Sequence, residues 1–287
     1  MKKLWFTRKN NQRHWVGDGF PVRSIFTYND IAPDISPFLL LDYAGPTVFE
    51  PTTKQRGVGE HPHRGFETVS IVYSGEVEHR DSSGGGGTIR PGDVQWMTAA
   101  SGMVHEEFHG RDYAAQGGHF EMIQLWVNLP KKFKMVSPRY QSILKESIPK
   151  VSIPHGAGTL RVIAGNYLGH SGPAQTYSPI DLWDIRLNAG VETDFTYTEG
   201  YTTSIFVLSG EVRLQDGELI SEAELAVLEP GGDRFTLKAT QDAKILFLGG
   251  EPFHEPIVGY GPFVMNTPEE IHQAFRDFQS GKMGSFQ

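Results

Sequence analysis

The chain has 287 residues, enough for one large or two medium domains and for a buried core that needs no disulfide staple. It has no cysteine, which excludes disulfides, thiol nucleophiles and cysteine-held zinc or iron–sulfur clusters. The formal net charge is −8 and no basic run extends beyond Lys131, Lys132 and Lys134, which argues against direct nucleic-acid binding; no stretch approaches the roughly 20 apolar residues of a membrane span.

The N-terminus, MKKLWFTRKNNQRHW, has the lysines of a secretion signal but no apolar segment after them, so a cytoplasmic protein is expected. Beyond it, 33 glycines and 18 prolines separate short β-branched runs, the texture of an all-β chain. TVSIVYSGEVEHRD (68–81) reads as strand and SSGGGG (82–87) as a hairpin turn, since it lacks the Gly-Lys-Ser/Thr ending of a phosphate loop. TIRPGDVQWMTAA (88–100) reads as a strand pair around Pro91-Gly92-Asp93. A charged, proline-bounded segment places a linker over 136–150, between domains at 1–135 and 151–287. Near the end, TPEEIHQAFRDFQSGKMG is the one convincing helix, with Thr267 as cap, Pro268 in the first turn and Glu270 completing a capping box. Ile271, Ala274, Phe275 and Phe278 fall on one face and Gly281 ends it, so it is expected to pack against a barrel.

The second half repeats the first. Laid without gaps, HPHRGFETVSIVYSGEV (61–77) matches TYTEGYTTSIFVLSGEV (196–212), pairing Gly65 with Gly200, Thr68 with Thr203, Val72 with Val207, and Ser74-Gly75-Glu76-Val77 with Ser209-Gly210-Glu211-Val212. A later Pro-Gly turn, Pro91-Gly92-Asp93, returns as Pro230-Gly231-Gly232-Asp233. A shared hairpin tetrapeptide alone would be generic; the ordered series indicates duplication into two tandem β-barrels. The copies differ where chemistry is expected. His61, His63 and Glu67 of the first are Thr196, Thr198 and Thr202 in the second.

On an extended strand, residues two apart share a face, so His61 and His63 project together. Glu67 joins them if the strand stays regular, although Gly65 allows a bulge. Some forty residues on, GMVHEEFH sets His105 and Glu107 on one face with Glu106 opposite. Imidazole and carboxylate suit a first-row divalent metal, and a four-ligand set leaves positions open for chemistry. Spacing alone does not choose between Glu67 and Glu107. A lone His-x-His is more often a pair of turn histidines; the second cluster and the simultaneous blanks in the other copy favour a metal. The remaining histidines, His79, His109 and His119 among them, have no comparable partner spacing and read as solvated or satisfied in the core. Trp96 and Trp126 read as core.

His-x-His with a later His is the pattern of the cupin superfamily, and HPHRGFETVS, PGDVQWMTAASGMVHEE, IQLWVNLP, MVSPRYQ and EPIVGYGPFVMNTPEEI closely resemble segments of the pirin family. That resemblance implies an all-β fold of two tandem cupin (jelly-roll) β-barrels with a short C-terminal helix. It implies one metal in the N-terminal barrel, usually iron, with nickel, manganese, copper and zinc as alternatives, and a C-terminal barrel without metal. It assigns the ligands to His61, His63, His105 and Glu107, leaving Glu67 behind them or in the pocket wall. Several pirins are quercetin 2,3-dioxygenases, opening a flavonol with O2 and releasing carbon monoxide, and the resemblance implies a flavonol-like substrate with Glu107 as ligand and general base. Others are regulators, so the alternative is an iron-binding protein that modulates a transcription factor or metabolic enzyme through protein contact.

Overall fold

The computed structural model describes residues 1–286 and groups the chain into two units, one of residues 11–33, 38–145 and 254–287 and the other of residues 1–10, 34–37 and 146–253. In chain order the first twelve strands are β1 (Leu4–Lys9), β2 (His14–Val16), β3 (Phe20–Phe26), β4 (Phe38–Phe49), β5 (Gly57–His63), β6 (Phe66–Ser74), β7 (Val77–Asp81), β8 (Gly86–Ile89), β9 (Val94–Thr98), β10 (Met103–His109), β11 (Gly118–Asn128) and β12 (Arg139–Ile143).

The unit that carries the paired histidines is a sandwich of two antiparallel sheets, one of seven strands in the order β12-β9-β6-β11-β4-β3-β2 and one of four in the order β5-β10-β7-β8. β-branched and aromatic residues at alternate positions give each strand an inward face, and the burial of β10 (Met103, Val104, His105, Glu107 and His109 buried; Glu106 and Phe108 half-buried) follows that period toward its end. What is unusual is that the inward residues of β10 and β7 are mostly ionisable. Between β5 and β6 the chain turns at Gly65, which has φ +90° and whose missing Cβ would stand 2.0 Å from the Val264 carbonyl oxygen. No other residue fits there.

The other unit repeats this plan. Its seven-stranded sheet runs β1, Glu224–Leu228, Thr202–Ser209, Ala243–Gly250, Ile180–Leu187, Gly158–Ala164 and Lys150–Ile153, and a four-stranded sheet of Glu192–Thr196, Arg234–Ala239, Val212–Leu214 and Leu219–Ile220 completes it. The repeat extends to the backbone, since Gly75 and Gly210 have φ +81° and +80° in the matching hairpins. The all-β reading, the two tandem cupin barrels and the short C-terminal helix are therefore what the chain forms. Among the described residues no helix is long and apolar enough to cross a membrane.

Residues 34–37 aside, three elements fall outside the sequence division of 1–135, 136–150 and 151–287. β1 pairs with Glu224–Leu228 and so belongs with the later barrel. Residues 139–143 of the expected linker form β12, the edge strand beside β9. The helix Pro268–Gln279, which has the expected capping box, packs Ile271 and Ala274 with Val104, Phe263 and Met265 of the earlier barrel, while Phe278 is exposed. Long-range pairing decides all three, and local pattern does not report it.

Candidate metal centre

β5 and β10 are neighbours in the four-stranded sheet, with His61 directly opposite His105. The register then slips, so that Glu107 lies opposite Val58; β5 holds one extra residue there. The regular pairing from His63 to His61, with the two-residue period of each strand, puts His61, His63, His105 and Glu107 on the inner face together. The three imidazoles meet, with ring centroids 4.2 Å apart for His61 and His105, 4.7 Å for His63 and His105, and 4.9 Å for His61 and His63. One ligand atom from each lies within 4.8 Å of the other two. Glu107 is not in that trio; it forms an overlapping set with His79 and His105 at the same spacing.

Each imidazole has one nitrogen engaged and one lone pair left. His61 Nδ1 is 2.8 Å from the Gly59 carbonyl and donates to it, which leaves Nε2. His63 hydrogen-bonds the Pro262 carbonyl, and its Nδ1 is buried without a partner. His105 Nε2 is likewise buried without a partner. Burial first, then the charge of neighbouring imidazoles, holds His63 and His105 well below the ordinary histidine pKa, so both are neutral bases at physiological pH. Buried nitrogens left bare, as those of His63 and His105 are, are costly, and together with the half-buried His61 they make a donor set that a divalent first-row ion would satisfy.

His79 was passed over in the sequence and is central here. β7 pairs with β10 so that Glu107 faces His79 and His105 faces Asp81. His79 Nε2 donates to Asp81 Oδ2 at 3.1 Å, which makes its Nδ1 an acceptor, and that atom lies 3.2 Å from Gln95 Nε2 and 3.4 Å from His105 Nδ1. The chain Asp81–His79–His105 thus fixes the tautomer of His105 and points Nε2 at the cluster. The signal was present: HRD (79–81) has the same His-x-acid spacing as HEE (105–107). His109 behaves as expected of a core histidine, bonding the Gly19 carbonyl at 2.8 Å and stacking on Phe120. His119, at the start of β11, is exposed.

Glu107 is held by the opposite sheet. Ser70 Oγ donates to Oε1 at 3.3 Å and Gln124 Nε2 to Oε2 at 2.9 Å. Glu107 and Gln124 both line a narrow cavity with walls that include Phe20, Val22 and Met122. Trp126 stacks on Phe66 at 4.2 Å and stands edge-on to His63 at 5.3 Å, closing the site with apolar surface. Glu67 takes no part. Gly65 breaks the strand, and Glu67 falls on the face of β6 opposite Ser70, where its Oε1 accepts from Thr98 Oγ1 at 2.7 Å. The expected place behind the ligands is filled by Ser70, Gln124, His79 and Asp81 instead.

The pirin family profile matches residues 19–127, and the profile of the pirin C-terminal cupin domain matches residues 182–284. A Pseudomonas aeruginosa protein provisionally named quercetin 2,3-dioxygenase is 56% identical over 282 residues, covering 98% of each chain. Pirin of Mus musculus is 38% identical over 258 residues, covering 88% of this chain and 84% of its own. A crystal structure of quercetin 2,3-dioxygenase from Acinetobacter baumannii matches with a TM-score of 0.97 at 52% identity, covering 100% of both chains.

Proposed function

The chain belongs to the pirin family, and on that footing we propose that it is a metal-dependent dioxygenase that opens flavonols such as quercetin with O2 and releases carbon monoxide. The observation that carries the reading is the convergence of three imidazoles, two of them with buried nitrogens that have no partner, beside a cavity-lining carboxylate. His61, His63 and His105 would hold the ion, with Glu107 as fourth ligand when it turns toward them, and the donor set admits iron first and nickel, manganese, copper or zinc as alternatives. When bound, the ion supplies Lewis acidity that lowers the pKa of a substrate hydroxyl next to it.

The protein's own groups do the rest. Glu107 is near enough to the cluster to share a site with His105 and is also held from the cavity side, so it can accept the flavonol 3-hydroxyl proton at a carboxylate oxygen. Gln124 and Ser70 keep that carboxylate oriented while it waits. The deprotonated flavonol is electron-rich enough to react with O2, and the walls of Phe20, Val22 and Met122 hold the ring out of water.

The test is carbon monoxide release from quercetin under O2 by protein loaded with one iron per chain, with His63→Ala as the control. The expected outcome is turnover by the loaded protein, and loss of both iron and turnover in the variant. Iron-loaded protein that releases no carbon monoxide would overturn the dioxygenase reading and leave metal-dependent binding of a protein partner as the role to measure.

A further inference from the structure

The site described so far uses one end of a longer polar band. Across the seven-stranded sheet, Ser24 of β3 is the register partner of Asp42 of β4, Asp42 of Gln124 in β11, Gln124 of Ser70 in β6, and Ser70 of Gln95 in β9. Register partners share a face, so these five side chains form one row on the inner surface. Three of them serve the centre directly: Gln95 reaches His79, and Ser70 and Gln124 reach Glu107. Apolar clusters flank the row, one containing Val22, Ala44, Met122 and Val72 and the other Leu40, Trp126 and Phe66.

Asp42 is the member without a task. It is 8% exposed, and burial raises its carboxyl above the ordinary aspartate range. Ser24 Oγ donates to Oδ1, which leaves Oδ2 as an acceptor. Asp42 lines the same cavity as Glu107 and Gln124, one strand beyond Gln124, a step of about 4.8 Å. A buried carboxylate at a cavity wall costs stability unless a donor meets it, and the fold keeps it in the row whose Gln124, Ser70 and Gln95 serve the site.

We propose that Asp42 is a specificity-determining residue, accepting a hydrogen bond from a second, remote hydroxyl of an aromatic substrate whose first hydroxyl faces Glu107. The substrate class is therefore a polyhydroxylated aromatic, and the cavity discriminates against rings that carry only the reacting hydroxyl. This rests on the flavonol reading above, but it concerns binding and stands apart from turnover.

The experiment is direct titration of metal-loaded protein, without O2, with quercetin and with 3-hydroxyflavone, which has only the reacting hydroxyl. Unchanged protein is expected to prefer quercetin by about tenfold or more, the size of a hydrogen bond to a charged group. Asp42→Ala should remove most of that preference by weakening quercetin alone. The same-shaped Asp42→Asn, which keeps a weaker acceptor, should lose several-fold and guards against a folding defect in the alanine variant. An unchanged preference in both variants, equal weakening of both ligands, or no binding of either ligand by unchanged protein would overturn the proposal. Asp42-dependent quercetin binding without carbon monoxide release would uphold it while the dioxygenase reading falls.

Discussion

Glu67 and Glu107 are both buried carboxylates, but Gly65, at φ +90°, breaks the chain between His63 and Glu67, so that Glu67 lies on the face of β6 opposite Ser70 while Glu107 lies on the inner face of β10. Glu107 is held by two donors at the cavity. Glu67 sits away from the centre, and burial pushes its carboxyl up to about 7 despite the bond from Thr98. A carboxyl whose pKa rises on folding holds its proton more tightly in the native state. The native state then binds more protons than the unfolded chain between about 4.5 and 7, and stability falls as pH rises through that window and levels off above it. A shift of that size is worth about 3 kcal/mol at its upper limit. Glu67→Gln is therefore expected to flatten this pH dependence and to be more stable than the unchanged protein at pH 8, with metal content unaltered. Denaturant unfolding at pH 5 and pH 8, at fixed metal loading, measures both; a variant with the same slope would show that Glu67 does not titrate in this range.

At the scale of the strand, the centre is a product of register. β10 supplies His105 and Glu107, β5 places His61 across from His105, and β7 places Asp81 and His79 on the other side. Because Asp81 fixes His79, and His79 fixes the tautomer of His105, Asp81→Asn should weaken metal binding by roughly 10–100-fold although it touches no ligand atom of the trio. Competition with a chelator gives the affinity, and an unchanged value would mean that His105 is oriented by packing alone. The shared faces of His61 with His63 and of His105 with Glu107 were legible because a two-residue spacing on a strand is a local signal, whereas spacing did not choose Glu107 over Glu67 and only the family resemblance did. Asp81 and His79 have the same spacing, but their value depends on β7 pairing with β10, and pairing is long-range. The same limit explains Asp42, which no nearby residue marks as polar inside a cavity. It also explains Glu67, whose face turns on the backbone of one glycine. The C-terminal helix was legible as a helix from its capping box, whereas its packing on Val104 and Met265 was not.

At the scale of the whole molecule, two copies of one plan have taken different courses. The copy with threonines at 196 and 198 has both of them exposed, and its interior is filled by stacked rings, Trp183 on Phe247 at 4.3 Å and Phe195 on Phe235 at 5.1 Å. The ends of the chain are exchanged between the copies: β1 closes the edge of the later barrel, and the C-terminal helix packs on the earlier one. β1 is tied in by five register pairs from Leu4–Leu228 to Lys9–Glu224, by Lys2 N–H to the Arg234 carbonyl at 2.6 Å and by Lys2 Nζ to the Pro230 carbonyl at 2.9 Å. Without it, Glu224–Leu228 becomes a free edge whose residues Leu225, Ala226, Val227 and Leu228 are all buried in the intact protein. An unpaired apolar edge recruits other strands. Protein lacking residues 1–10 is therefore expected to self-associate at concentrations where the full chain does not, by light scattering after size exclusion. A synthetic peptide of residues 1–10 added in trans should reverse this by supplying the missing strand. Metal binding should survive the deletion, because every residue of the imidazole cluster lies in the other unit. If the truncated chain behaved like the full one and ignored the peptide, β1 would be an ornament on the sheet and not its closing strand.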